Sequence, residues 1–177
     1  MTDKAREAAL KVRMLVLDVD GVLTDGKLYY SDDGREYKTF DIKDGLGIKL
    51  LRRAGIEVGI ITARSSVILS RRCQELGITH LTQGREDKLT ALRELLMAVA
   101  LDIKEVAYMG DDLPDLAAVR AAGLGMTVAD ANPVLIANAL WRSKRGGGNG
   151  AVREAAEFIL AAQNRLEALI SSYDETL

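Results

Sequence analysis

LVLDVDGVLTDG, residues 15–26, begins as an unbroken apolar run and ends in three aspartates. Taken from Arg13 to Val19, the run is short, apolar and rich in branched side chains. It reads as a strand buried on both faces, because a strand with one wet face would alternate. Asp18 and Asp20 stand two apart at its exit, followed by Gly21, Thr24 and Asp25. In extended backbone, residues two apart project to the same side. Carboxylates gathered in one place repel unless a cation joins them.

The same signal recurs along the chain, in alternation with helical periods. Residues 57–63 (EVGIITA), 79–84 (THLTQG), 105–112 (EVAYMGDD) and 124–129 (LGMTVA) read as further strands, and 140–143 (LWRS) as a short last one. Helices are predicted over 44–55, 65–77, 85–100, 113–123, 132–139 and 150–170, several with a serine start or a glycine stop. Residues 27–40 read as a hairpin with aromatic arms around the turn SDDG. Strands alternating with helices imply an α/β fold: a Rossmann-like, doubly wound parallel sheet with helices on both faces, here with a protruding β-hairpin. In such sheets ligands bind outside the carboxyl ends of the strands. Those ends carry Asp18, Asp20, Thr62, Asp111 and Asp112, and Lys88 lies just inside the helix after the third strand.

Composition narrows the function classes. A chain of 177 residues, 48% hydrophobic and 28% charged, suits a single globular domain over 1–177. A net charge of −2 gives no electrostatic footprint for nucleic acid or an anionic membrane. No apolar run approaches the ~20 residues of a membrane span, and the N-terminus is too charged for a signal peptide, so the cytoplasm is the expected location. One cysteine, Cys73, forms no internal disulfide and reads as a small core residue. The one histidine, His80, reads as a packing residue. GGGNG (146–150) lacks the lysine and hydroxyl residue of a phosphate-binding loop of the Walker type.

The strand ends suggest a chemistry. Hard oxygen donors with no histidine or cysteine suit Mg²⁺. A carboxylate can attack phosphorus and form an aspartyl-phosphate. Two anions meeting there need positive charge, which Mg²⁺ and Lys88 would provide, with the Thr62 hydroxyl donating to a phosphoryl oxygen. Backbone N–H groups freed by Gly21 add donors.

DVDGVLTDG, IITAR, GREDKL and MGDDLPD, in that order, resemble the haloacid dehalogenase superfamily. FDIKDGLGIKLL, TARSSVILSRRCQELGI and GGGNGAVREAAEFIL extend the resemblance over nearly the whole chain, to the cap-less branch that acts on phosphorylated sugar acids and in which a ring of four subunits replaces a cap domain. The resemblance implies Asp18 as nucleophile and metal ligand, and Asp20 as general acid and base whose backbone carbonyl also binds Mg²⁺. It implies Asp111 as the third protein ligand, Asp112 on a metal-bound water, Asp115 supporting the loop, and Thr62 and Lys88 on the phosphoryl group. Asp41, Ile42, Lys43, Asp44 and Gly45, with Lys49, Arg64 and Arg72, would meet the sugar acid. The substrate implied is an eight-carbon sugar-acid 8-phosphate of lipopolysaccharide inner-core synthesis. A nine-carbon 9-phosphate and an idle assembly module are the alternatives. The homotetramer so implied would use the hairpin as its central element, with the tail (143–177) closing a neighbour's site. Asn132 stands where the branch is expected to carry histidine.

Plainer readings stay open at several positions. Asp25 and Asp115 read as structural turn or cap partners. Arg52, Arg53 and Arg71 read as solvated helix faces, and Arg72 as either that or a ligand. GGGNG is either a flexible linker or part of the site. Tyr29, Tyr30, Tyr37 and Phe40 are either hairpin core or a subunit interface, since an isolated hairpin is marginal and wants partners.

Overall fold

A computed structural model describes residues 3–174. The first strand is β1 (Met14–Leu17), four residues long and buried throughout. It lies at the centre of a sheet with β4 (Glu57–Ile61), β5 (His80–Thr82), β6 (Val106–Gly110), β7 (Leu124–Thr127) and β8 (Trp141–Arg142). The spatial order is β5-β4-β1-β6-β7-β8, with every pairing parallel. From β1 the chain winds outward to β4 and β5, then returns to add β6, β7 and β8 on the other side. The crevice between the ends of β1 and β6 is therefore the topological switch point, where such sheets bind ligands. The separate hairpin is β2 (Tyr29–Tyr30) paired antiparallel with β3 (Glu36–Tyr37). Among the described residues it is the one small unit inserted between β1 and the first sheet-covering helix that follows; no cap domain is present.

The helices form two layers. On one, α1 (Asp3–Ala9) and α2 (Ile42–Arg53) pack on α7 (Ala151–Ala162), and α3 (Val67–Leu76) packs on α2. On the other, α5 (Leu116–Ala121) packs between α4 (Lys88–Val99) and α6 (Pro133–Asn138). Local chemistry sets their limits. Asp41 caps α2 by accepting from the Lys43 N–H, and Ser66 caps α3 by accepting from Leu69. Gly77 ends α3 in the left-handed conformation, φ 70°. Close packing of α2 on α7 depends on Gly47, where an added Cβ would sit 3.0 Å from the Arg153 Cα.

Two expectations are corrected, over 150–170 and 113–123, and two points that the sequence left open are filled in. The charged N-terminus carries a helix, α1, because Ala5 and Ala9 give it a buried face. The helix predicted over 150–170 breaks at Asn164, φ 56°, so that α8 (Leu166–Ser171) is separate. The helix predicted over 113–123 begins as a 3-10 turn, Leu113–Asp115, because Pro114 cannot continue an α-helical hydrogen-bond ladder there. GGGNG is not a free linker: Gly148 donates to Val22 O at 2.9 Å and Gly147 to Asp130 Oδ1 at 3.0 Å. Residues 175–177 of the predicted tail lie outside the described residues.

Candidate active site

The end of β1 and the turn after it form the floor. Asp18 N–H still donates to Met109 O at 3.0 Å, so Asp18 is held against β6. The chain then coils, with the N–H groups of Val22, Leu23 and Thr24 all directed at Val19 O at 2.9–3.2 Å. The Thr24 hydroxyl ties the coil by accepting from Gly21 and Gly26. Gly21 has φ +95°, and an added Cβ would lie 2.1 Å from Asp111 Oδ2. Glycine is thus required twice there, by conformation and by space. On the far side Gly147 packs so closely that its Cβ would stand 1.8 Å from Gly21 O. The coil also answers the expectation of an extended backbone: Asp18 and Asp20 reach different partners.

Asp18 is 8% exposed and accepts from Lys88 Nζ at 2.5 Å. Lys88, the first residue of α4, also donates to Ile61 O at 3.1 Å and to Asp115 Oδ1 at 3.3 Å. Asp115 accepts from the buried Tyr108 hydroxyl at 2.7 Å and from the Asp111 N–H at 3.2 Å. A Cβ on Gly110 would collide with it at 2.3 Å. Asp115 is therefore a fully engaged support that fixes both Lys88 and the Asp111 loop. Tyr108 was not singled out in the sequence, since a tyrosine inside a buried strand looks like any other core residue.

Carboxylate oxygens of Asp18, Asp111 and Asp115 lie within 4.8 Å of one another. Burial and the charge of Asp115 push the Asp18 carboxyl up to about 6, with Lys88 opposing. Burial, then Asp115, Asp18 and Asp112, push Asp111 up to about 7. For Lys88, burial opposes the charge, but Asp18 and Asp115 outweigh it and raise its pKa. Among the described residues no lysine or arginine pairs with Asp111. One buried cation facing three carboxylates leaves a deficit of positive charge, and the donors are all hard oxygens. The site fits a divalent cation such as Mg²⁺.

Around this floor stands a more open rim. Thr62, directly after β4, is buried, and its hydroxyl accepts from the Arg64 N–H at 3.3 Å. The Asp20 carboxylate receives Lys38 Nζ on Oδ1, and Arg64 Nε stands 3.9 Å from Oδ2. Arg64 also donates to Glu36 at 3.1 Å and to the Tyr30 hydroxyl at 3.4 Å. Lys38, Glu36 and Tyr30 all come from the hairpin, and sequence reasoning missed the first two. No spacing marks a hairpin lysine as a site residue. Asp112 accepts from the Leu113 N–H and from Asn132 Nδ2 at 2.9 Å, while the Asn132 N–H donates to Asp111 O at 2.8 Å. Asn132 thus braces the Asp111–Asp112 loop. Asp25 is a turn partner, accepting from Lys27 N–H and the Tyr29 hydroxyl.

The expected sugar-acid residues divide. Ile42, Lys43 and Lys49 are exposed on α2. Asp41 is occupied as its cap. The Asp44 carboxylate is directed into the fold, where it accepts from Gly150 N–H at 3.3 Å and Arg153 N–H at 2.8 Å. It caps α7. Burial holds its carboxyl up at about 6. Gly45 leaves room for Arg72, whose guanidinium would meet an added Cβ at 2.4 Å. Arg72 lies over the Phe40 ring and pairs with Glu75. Beneath it Cys73 is pushed up to about 11 by burial, an inert thiol.

Comparison with known proteins shows what the chain is similar to. The model of the haloacid dehalogenase-like hydrolases matches residues 76–153. The 3-deoxy-D-manno-octulosonate 8-phosphate phosphatase of Yersinia pestis is 44% identical over 167 residues, covering 94% of this chain and 89% of its own. That of Escherichia coli K12 is 46% identical over 159 residues, covering 90% and 85%. The crystal structure of the Moraxella catarrhalis enzyme, in complex with magnesium, phosphate and KDO, superposes with a TM-score of 0.96 at 43% identity, covering 98% of this chain and 99% of that one.

Proposed function

The chain belongs to the haloacid dehalogenase-like hydrolases, and from that premise we propose that it is a Mg²⁺-dependent phosphatase that hydrolyses 3-deoxy-D-manno-octulosonate (KDO) 8-phosphate to KDO and phosphate. The observation that carries the reading is the buried Asp18, paired with Lys88 in a cluster of carboxylates short of positive charge.

The chemistry follows from these side chains. An Asp18 oxygen attacks phosphorus in line as the bond to the sugar oxygen breaks, and Asp20 delivers a proton to that oxygen. Asp20 then takes a proton from water, which attacks the aspartyl-phosphate and frees Asp18. Lys88 and the Thr62 hydroxyl hold the phosphoryl oxygens as charge redistributes. Asp18, the Asp20 carbonyl and Asp111, with Asp112 through water, would hold Mg²⁺, which supplies charge neutralisation for two meeting anions. Arg64 reaches the rim with a planar fork suited to the substrate carboxylate. Asp115 and Tyr108 do not touch substrate; they keep Lys88 and Asp111 in place.

The same proposal includes a homotetramer joined through the hairpin. Leu28, Tyr29, Tyr30 and Tyr37 are 40–62% exposed, which argues against hairpin core and favours an interface. A cytoplasmic location and a role in making the lipopolysaccharide inner core belong to it too. A nine-carbon 9-phosphate is the competing substrate. Phosphate release from both sugar phosphates, with and without Mg²⁺, tests the reading. Magnesium-dependent preference for the eight-carbon substrate is expected; turnover of neither overturns it.

A further inference from the structure

Asp20 lies on the α/β core, yet its carboxylate is held from outside that core. Lys38, just past β3, places Nζ on Oδ1. The Lys38 side chain is 4% exposed, and its other anionic neighbour is Glu36 at 3.9 Å. A lysine this enclosed has no water to turn to, so breaking its ion pair strands a charge. Arg64 approaches Oδ2 only to 3.9 Å, beyond hydrogen-bond distance, because Glu36 and Tyr30 draw it away.

The two oxygens of Asp20 are therefore unlike. An ammonium only donates, so the oxygen beneath it cannot carry a proton. Oδ1 is committed as an acceptor, and Oδ2 is left as the atom that bears the proton. We propose that Lys38 is a positioning residue: it fixes the Asp20 carboxyl so that Oδ2 faces the departing sugar oxygen and delivers the proton there. This rests on the reading of Asp20 as the acid. The proton passes from Oδ2 to the sugar oxygen as the phosphorus–oxygen bond breaks. It is regained at Oδ2 from the attacking water, and Lys38 keeps its own protons throughout.

The test compares two substrates on one preparation, so any fraction of unfolded protein cancels. KDO 8-phosphate leaves as an alkoxide and needs the proton; p-nitrophenyl phosphate leaves as a stabilised phenolate and does not. For Lys38→Met, kcat/KM for the sugar phosphate is expected to fall about 100-fold, and for the aryl phosphate only a few-fold. Lys38→Arg, which still donates, restores part of the loss. In an Asp20→Asn background Lys38→Met has little further effect on either substrate, because its route is through Asp20. Equal losses on both substrates overturn the proposal, as does an undiminished loss in the Asp20→Asn background, which would make Lys38 a direct sugar contact. A wild-type protein inert toward the sugar phosphate with Mg²⁺ present would instead sink the functional reading.

Discussion

The floor of the site and its rim are built on opposite principles. On the floor, Asp18, Lys88, Asp115 and Tyr108 are buried, come from the turn after β1, α4, the turn after β6 and β6, and bind one another. No buried side-chain nitrogen or oxygen among the described residues lacks a hydrogen-bond partner. On the rim, Arg64, Glu36 and Tyr30 are at least partly open to water, and two of them come from a hairpin of two-residue strands. The floor has nowhere to move, which suits fixed charge aimed at a reacting phosphorus. The rim can rearrange around a ligand, which suits recognition. Where a residue stands thus forecasts how its loss is felt: kcat from the floor and from Asp20 and Thr62, which act on the reacting atoms from the rim, KM from the rim's recognition residues.

The sharpest way to break that division is at Asp18. Asp18→Asn keeps shape and volume but removes the nucleophile; turnover is expected to fall by about four orders of magnitude or more, with circular dichroism and Tm close to wild type. Lys88→Met should lower kcat by about 10²–10³ and, without Mg²⁺, cost roughly 3–5 kcal/mol in a urea titration, because two buried carboxylates lose their cation. Gly21→Ala forces a side chain into a positive φ and against Asp111; Mg²⁺ affinity, read from the metal dependence of Tm, should drop about 10–100-fold. Arg64→Ala sharpens the contrast from the other side: KM is expected to rise about tenfold while kcat holds. A fall in kcat instead would put Arg64 on the floor.

The smallest effect concerns Asp44, which belongs to neither region. Its carboxyl stands near 6 in the fold, against an ordinary 3.8. The folded state therefore holds a proton that the unfolded chain has released, and stability present below 3.8 is lost as pH rises through 6. Between pH 4 and 6.5 the wild type should lose on the order of 1–3 kcal/mol relative to Asp44→Asn, which does not titrate. Parallel urea titrations of the two proteins check it.

What could be read from the sequence tracks the same division. β1 and β6 declared themselves by apolar runs ending in aspartates, and Lys88 by its place after a third strand, because a period and a charge at its end are local signals. Tyr108 was invisible, since its hydroxyl matters only once Asp115 folds back from the following turn. Lys38 and Glu36 were missed because their partners, Asp20 and Arg64, are far away in the chain and meet only when the hairpin lies across the strand ends. The structural role of the Asp44 carboxylate was hidden for the same reason. It stands in a stretch that resembles a ligand-binding loop, but its partners Gly150 and Arg153 are 106 and 109 residues downstream.

That last span has a consequence for how the protein comes into being. The nucleophile, Asp18, is translated well before the wall behind its turn, Gly147 and Gly148, and Asp44 well before the helix that it caps. On a ribosome adding about 5–20 residues per second, several seconds separate the reactive aspartate from the segment that holds its loop in shape. During that interval the nascent chain carries the carboxylates without the clamp. A chain truncated before Gly147 is expected to lack the wall behind the Asp18 turn and, with it, activity.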